Sequence, residues 1–154
     1  HWLTAAHCVA KSDGVVSDTP FYVHGVLAIP IHIDVARDLA VLKADAHYPA
    51  LSMRLKPLAW GMKMRIVGKP LGFAHFIITT GLVANPVYRA FRQPYMLFDA
   101  VACSGHSGSP VLDDEGKVGS VLQIGVGAGP CYPLSGGATY DQMLTVRKYF
   151  TPQR

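Results

Sequence analysis

Charge is scarce in this chain: Asp, Glu, Lys and Arg make up 16 % of its 154 residues, against 50 % hydrophobic ones. That balance excludes a disordered segment and a coiled coil, both of which need far more charge. Long apolar runs are lacking as well. The most apolar stretch, residues 71–84, is interrupted by Gly72, His75 and Gly81, and it falls short of the roughly 18 residues that a membrane-spanning helix needs. No membrane partner is expected. Acidic residues are fewer than basic ones, 10 against 14, which leaves a net charge of +4. A nucleic-acid surface would gather the basic residues on one groove with stacking aromatics between them. Arg54, Lys56, Lys63, Arg65 and Lys69 are instead spread over two turn-rich segments, so they read as a solvated face and no nucleic-acid partner is expected. Cysteine is limited to three, so one is left unpaired within the chain. Position 1 is His rather than Met, with no charged-then-apolar leader ahead of it, and the chain is expected to be a processed product or a fragment.

What is abundant is punctuation. Fifteen glycines and 11 prolines separate short apolar runs at 21–29, 39–42, 63–67, 76–83, 95–101 and 118–124, a spacing that predicts an all-β sandwich or barrel. Breakers stand where these strands should end: Gly68-Lys69-Pro70-Leu71-Gly72, Asn85-Pro86, Asp113-Asp114-Glu115-Gly116 and Gly127-Ala128-Gly129-Pro130. Two places read as helical. Residues 5–10 can make about one turn. Residues 141–150 carry an N-cap candidate and then Met143, Val146, Tyr149 and Phe150 at helical spacing, which predicts a C-terminal helix packed on the β core. A lobe boundary is expected near residues 51–61.

Three segments carry chemistry when taken together. Leu3-Thr4-Ala5-Ala6-His7-Cys8 sets a histidine among small residues. Asp38-Leu39-Ala40-Val41-Leu42 puts an acid at the head of an apolar strand, and Gly105-His106-Ser107-Gly108-Ser109-Pro110 holds a serine in a glycine-rich turn. Read singly, each has an ordinary structural explanation as a packed histidine, a turn acid or a loop. Together they supply what a weak hydroxyl nucleophile requires. An imidazole takes its proton, and a carboxylate fixes that imidazole's tautomer and stabilises the imidazolium. Glycines beside the serine let the N–H groups of Gly105 and Ser107 converge on one point, where an oxyanion would be stabilised.

In this order the three segments resemble the motifs of the trypsin/chymotrypsin-like serine proteases. The short spans between them, with Gly68-Lys69-Pro70-Leu71-Gly72, Thr80-Gly81-Leu82-Val83 and Gly116-Lys117-Val118, look most like the compact bacterial, HtrA-like members. The resemblance implies a fold of two antiparallel β-barrel lobes with a short C-terminal helix. Residues 1–55 would form a partial N-terminal barrel, and residues 56–154 a C-terminal barrel plus helix. About two strands normally precede the histidine motif, whereas only residues 1–4 do here, so the first barrel is expected to be incomplete and the chain less stable and less active than its parent. The resemblance further implies a serine endopeptidase with His7 as general base, Asp38 as orienting acid, Ser107 as nucleophile and an oxyanion hole at Gly105 and Ser107. The alternative is a catalytically inactive, protease-like module that binds peptides. An esterase built on a strand–serine–helix elbow is disfavoured by Pro110, three residues after Ser107.

By the same resemblance, Val101 falls at the floor of the primary pocket and offers no carboxylate, so an uncharged substrate side chain is expected. Leu122, Gln123 and Gly125 fall on the edge to which a peptide or protein substrate would add as a strand. A hydroxyl that commonly supports the acid is missing there, with Leu122 or Gln123 in its place, and Ser120 would substitute only after a register shift of two. His106 replaces the acid that captures a new N-terminal ammonium in the animal enzymes, so that activation switch is not expected. Cys103 and Cys131 match a disulfide bracketing the pocket, which implies a secreted or periplasmic protein, and Cys8 matches a cysteine whose partner lies upstream. His1, His7 and Cys8 match no metal-ligand spacing. Neither metal nor cofactor is expected.

Overall fold

The computed structural model describes residues 1–89 and 93–150, so residues 151–154 of the expected second lobe lie outside it. Four strands open the chain: β1 (Trp2–Thr4), β2 (Phe21–Val23), β3 (Val26–Asp34) and β4 (Leu39–Ala44). They form one antiparallel sheet in the order β1-β4-β3-β2 that does not close on itself. Then come β5 (Lys63–Gly68), β6 (Ile77–Tyr88), β7 (Tyr95–Asp99), β8 (Ala102–Cys103), β9 (Pro110–Leu112), β10 (Val118–Val126), β11 (Cys131–Tyr132) and β12 (Leu134–Gly137). Six of these close a barrel in the order β10-β12-β7-β6-β5-β9, while β8 and β11 pair as a ribbon. The helix α1 spans Tyr140–Arg147. The architecture is therefore the all-β, two-lobed one that the resemblance implies, with a partial first barrel, a closed second barrel and a short C-terminal helix.

Strand β4 explains how the lobes are joined. Leu39, Ala40, Val41 and Leu42 are all buried, because side chains alternate between the two faces of a strand and here neither face meets water. Leu39 and Val41 pack with Val121, Ala138, Met143 and Val146 of the second lobe and the helix. Ala40 and Leu42 face Ala6, Val9 and Ala28 of the first lobe. Burying a Leu or Val side chain contributes roughly 1.5–3 kcal/mol, so an uninterrupted apolar run is what this position demands. The second lobe has its own core around Met64, Ile66, Met96, Phe98, Val111 and Leu122.

Several local features depart from the expected elements. The run 21–29 is a hairpin turning at His24-Gly25, both at positive φ. Strand β6 passes through Asn85-Pro86 instead of ending there: Asn85 still pairs with Leu97, and the register irregularity between Asn85 and Tyr88 leaves Pro86 without a ladder partner to serve. The helix is capped by Thr139, whose Oγ1 accepts the Gln142 N–H while the Gln142 side chain accepts the Thr139 N–H, a reciprocal box that satisfies two otherwise orphaned donors. Of the basic residues, Arg54 pairs with the buried Asp113, and Arg65 donates to the carbonyl oxygens of Asp113 and Asp114. Cys103 and Cys131 are disulfide-bonded across β8 and β11. Cys8 is an exposed free thiol.

Candidate active site

His7 sits on a single turn of 3-10 helix, Ala6–Cys8. Ala5 and Ala6 are fully or almost fully buried, and only side chains this small let the turn lie close against β4. Asp38 stands at the head of that strand in a left-handed conformation, φ +51°, after a turn closed by its N–H to the Val35 carbonyl. The two residues meet twice. Asp38 Oδ1 accepts the His7 backbone N–H at 2.9 Å, and Asp38 Oδ2 lies 2.8 Å from His7 Nδ1. A carboxylate only accepts, so Nδ1 carries the proton and Nε2 is left as the basic nitrogen. Hydrogen bonding to Asp38, helped by the Cys8 thiol, outweighs burial and pushes the imidazole pKa up to about 10.

Ser107 lies between Gly105 and Gly108, which adopt φ +91° and +80°, a region that strains any residue bearing a Cβ. The turn is anchored to β10 by Gly108 N–H to Leu122 O at 2.8 Å and Leu122 N–H to Ser109 O at 2.9 Å. A Cβ at position 108 would collide with Thr4 Oγ1 and stand 3.3 Å from Ala5 N. The serine turn thus leans directly on the segment that leads into His7, and glycine at 108 is what permits it.

The backbone of this turn divides its donors. The N–H groups of Cys103, Ser104, His106, Gly108 and Ser109 donate to His106 Nδ1, Pro130 O, Cys103 O, Leu122 O and His106 O respectively. Those of Gly105 and Ser107 donate to no acceptor among the described residues. The Ser104 carbonyl accepts the Leu71 N–H at 2.7 Å. Because a trans peptide sets its carbonyl and the next N–H on opposite sides, the Gly105 N–H faces away from Leu71. Two uncommitted donors flanking one hydroxyl can receive a developing negative charge.

Beside Ser107 opens a cavity of about 170 Å³, whose lining includes Ala102, Ser104, Leu122, Ile124, Gly125 and Tyr132. Tyr132 fills the space over Gly125, where a Cβ would overlap its ring. Of the expected substrate-contacting residues, Leu122 and Gly125 are on this lining; Val101, 47 % exposed, is not among them. Gln123 is buried and turned the other way, its Nε2 donating to the carbonyls of Arg37 at 2.7 Å and Asp38 at 2.8 Å. Gln123 thereby holds the backbone of the turn that carries Asp38, a contact that sequence reasoning missed. Ser120 makes no such contact, since its hydroxyl donates to Ala138 O.

A family model described as a trypsin-like peptidase domain matches residues 1–119. Among solved structures, the active form of the Rv3671c protease from M. tuberculosis superposes with a TM-score of 0.77 at 20 % identity, covering 98 % of this chain and 70 % of that one. The HtrA-type protease AlgW with a decapeptide gives 0.76 at 21 % identity, covering 95 % and 46 %. AlgW with a tripeptide gives 0.74 at 21 % identity, covering 96 % and 51 %. The chain therefore spans about half the length of the AlgW chains. At these identities the likeness is one of fold. A search of curated proteins gave no match.

Proposed function

Since the chain belongs to the trypsin-like peptidase domain family, we propose that it is a serine endopeptidase working through His7, Asp38 and Ser107. His7 Nε2 takes the Ser107 proton as Oγ attacks the scissile carbonyl, and Asp38 stabilises the resulting imidazolium through the Nδ1 bond. The oxyanion is met by the N–H groups of Gly105 and Ser107, each such donor being worth about 3 kcal/mol of barrier. The imidazolium then returns the proton to the leaving amine, which departs and leaves an acyl-enzyme. Water, deprotonated by the same nitrogen, releases the acyl group and restores the serine.

The observation that carries this reading is the double hold of Asp38 on His7, beside a serine turn that leans on Thr4 and Ala5 and whose Gly105 and Ser107 N–H groups have no acceptor among the described residues. Residues 1–55 would supply the base and acid, and the second lobe the nucleophile. The cavity lining carries no carboxylate and no Lys or Arg among the described residues, which suits an uncharged substrate side chain, with the strand around Leu122 to Gly125 receiving an extended peptide. That AlgW was solved with peptides fits a peptide or protein substrate. The disulfide suits an oxidising compartment, secreted or periplasmic.

Reaction with a fluorophosphonate probe tests the assignment. Labelling is expected in the wild type and in Ser109→Ala, and is expected to vanish in Ser107→Ala. A folded wild type that binds peptide but takes no label would instead be a non-catalytic peptide-binding module.

A further inference from the structure

His106 is a titratable side chain that none of these steps uses, and it is only 1 % exposed. Its ring and its backbone close the same turn. Nδ1 accepts the Cys103 N–H at 3.0 Å, and the His106 N–H donates to the Cys103 carbonyl at 3.0 Å. A ring that accepts on Nδ1 is neutral and holds its proton on Nε2. That Nε2 is buried and has no hydrogen-bond partner among the described residues. The Cδ2 edge lies against the end of β5, where a Cβ at Gly68 would come within 2.7 Å of it, so glycine at 68 makes the seat for the ring.

Among the described residues no charged side chain raises the pKa of the ring. Cys103 is tied up in the disulfide, the turn contributes only the hydroxyls of Ser107 and Ser109, and β5 contributes Gly68. Lys69, next in sequence, directs its ammonium to the face of Phe76, 5.0 Å from the centroid. Burial alone pulls the His106 pKa below the ordinary histidine value, so the acceptor on Nδ1 survives into acid.

We infer that His106 is a positioning residue for the oxyanion turn: its neutral ring, locked as one tautomer between Cys103 and Gly68, keeps residues 103–107 in the shape that leaves the Gly105 and Ser107 N–H groups free for the substrate. This role rests on the protease reading. A mere core filler would be replaceable by any side chain of similar volume, whereas a positioning acceptor is replaceable only by another acceptor in the same place.

Leucine fills the space without accepting, and the Oδ1 of asparagine can take the place of Nδ1. In His106→Leu, kcat for a peptide or ester substrate is expected to fall about 10- to 100-fold, with KM within about threefold of wild type. His106→Asn is expected to keep kcat within about fivefold. Nitrogen-15 NMR of the wild-type imidazole, which does not depend on turnover, is expected to show Nδ1 bare and Nε2 protonated, with the ring titrating below the pH at which a free histidine does. A wild-type kcat in His106→Leu would overturn the inference. So would a folded His106→Asn as impaired as the leucine variant, or an Nδ1–H tautomer in the wild type. An active wild type with an unaffected leucine variant removes only the role of His106; a wild type with no hydrolytic activity removes the protease reading and this role with it.

Discussion

Gln123 holds Asp38 by its backbone: one amide nitrogen donates to both the Asp38 and the Arg37 carbonyl, at 2.8 and 2.7 Å. The acid's side chain is left wholly to His7, and the turn that presents it is tied to the barrel of the other lobe. Gln123→Leu would leave two carbonyls without their partner, which costs about 1–3 kcal/mol where the groups are buried. A drop of that size in urea denaturation, together with a reduced kcat, is the expected outcome. The same stability loss with an unchanged kcat would confine Gln123 to holding the fold.

Asp38→Asn keeps the size of the side chain but removes its charge and permits the wrong imidazole tautomer. Turnover is expected to fall by about 10⁴-fold, the scale known for this replacement in such triads. Steady-state kinetics with a chromogenic ester, with the melting temperature checked alongside, measure it.

In the proposed role of general base, His7 works only when neutral. With the His7 pKa pushed up to about 10 by Asp38 and Cys8, kcat/KM is expected to climb with pH well beyond the range in which an ordinary histidine titrates. Stability runs the other way. A folded pKa above the unfolded value of 6.5 means that the His7–Asp38 attraction contributes fully below that value and is lost as pH rises toward 10. NMR titration of His7 in Asp38→Asn is expected to show its pKa moving down.

Arg54 and Asp113 form a largely buried ion pair, with side chains 18 % and 2 % exposed. Burial raises the Asp113 pKa, but the Lys117 N–H and the Arg54 guanidinium outweigh it and hold the carboxyl below its ordinary value. Asp113→Asn leaves the guanidinium without its counter-ion and is expected to destabilise the protein by about 3–5 kcal/mol. Because the folded pKa is depressed, the wild type is expected to keep this contribution above the unfolded carboxylate pKa and to lose it as pH falls through the folded one. Urea midpoints across an acid series, wild type against variant, would converge at low pH.

The parts of the candidate site that could be proposed from sequence are those with local reasons. Small residues before His7, an acid heading a strand and a serine between glycines are each dictated by the few residues around them. Gln123 has no such signature, because its amide acts across the two lobes on carbonyls far away in the chain. Strand β12, Leu134–Gly137, is unreadable for a different reason. Its glycines are there for close approach, since a Cβ at Gly137 would stand 2.5 Å from the Val121 carbonyl, and the composition therefore looks like a loop. His106 reads in sequence only as an ammonium-capturing acid replaced; its seat exists because Gly68, remote in the chain, lacks a side chain.

The burial of β4 on both faces has a further reach. The strand that begins at the acid has no side on which a change in volume can be absorbed by solvent, so altered packing in either half of the molecule arrives at the base of Asp38. Designers wishing to stabilise one half would have to choose side chains at 39–42 jointly with Ala6 and Ala28 on one flank and Met143 and Val146 on the other, since a single swap there would displace the turn that carries Asp38.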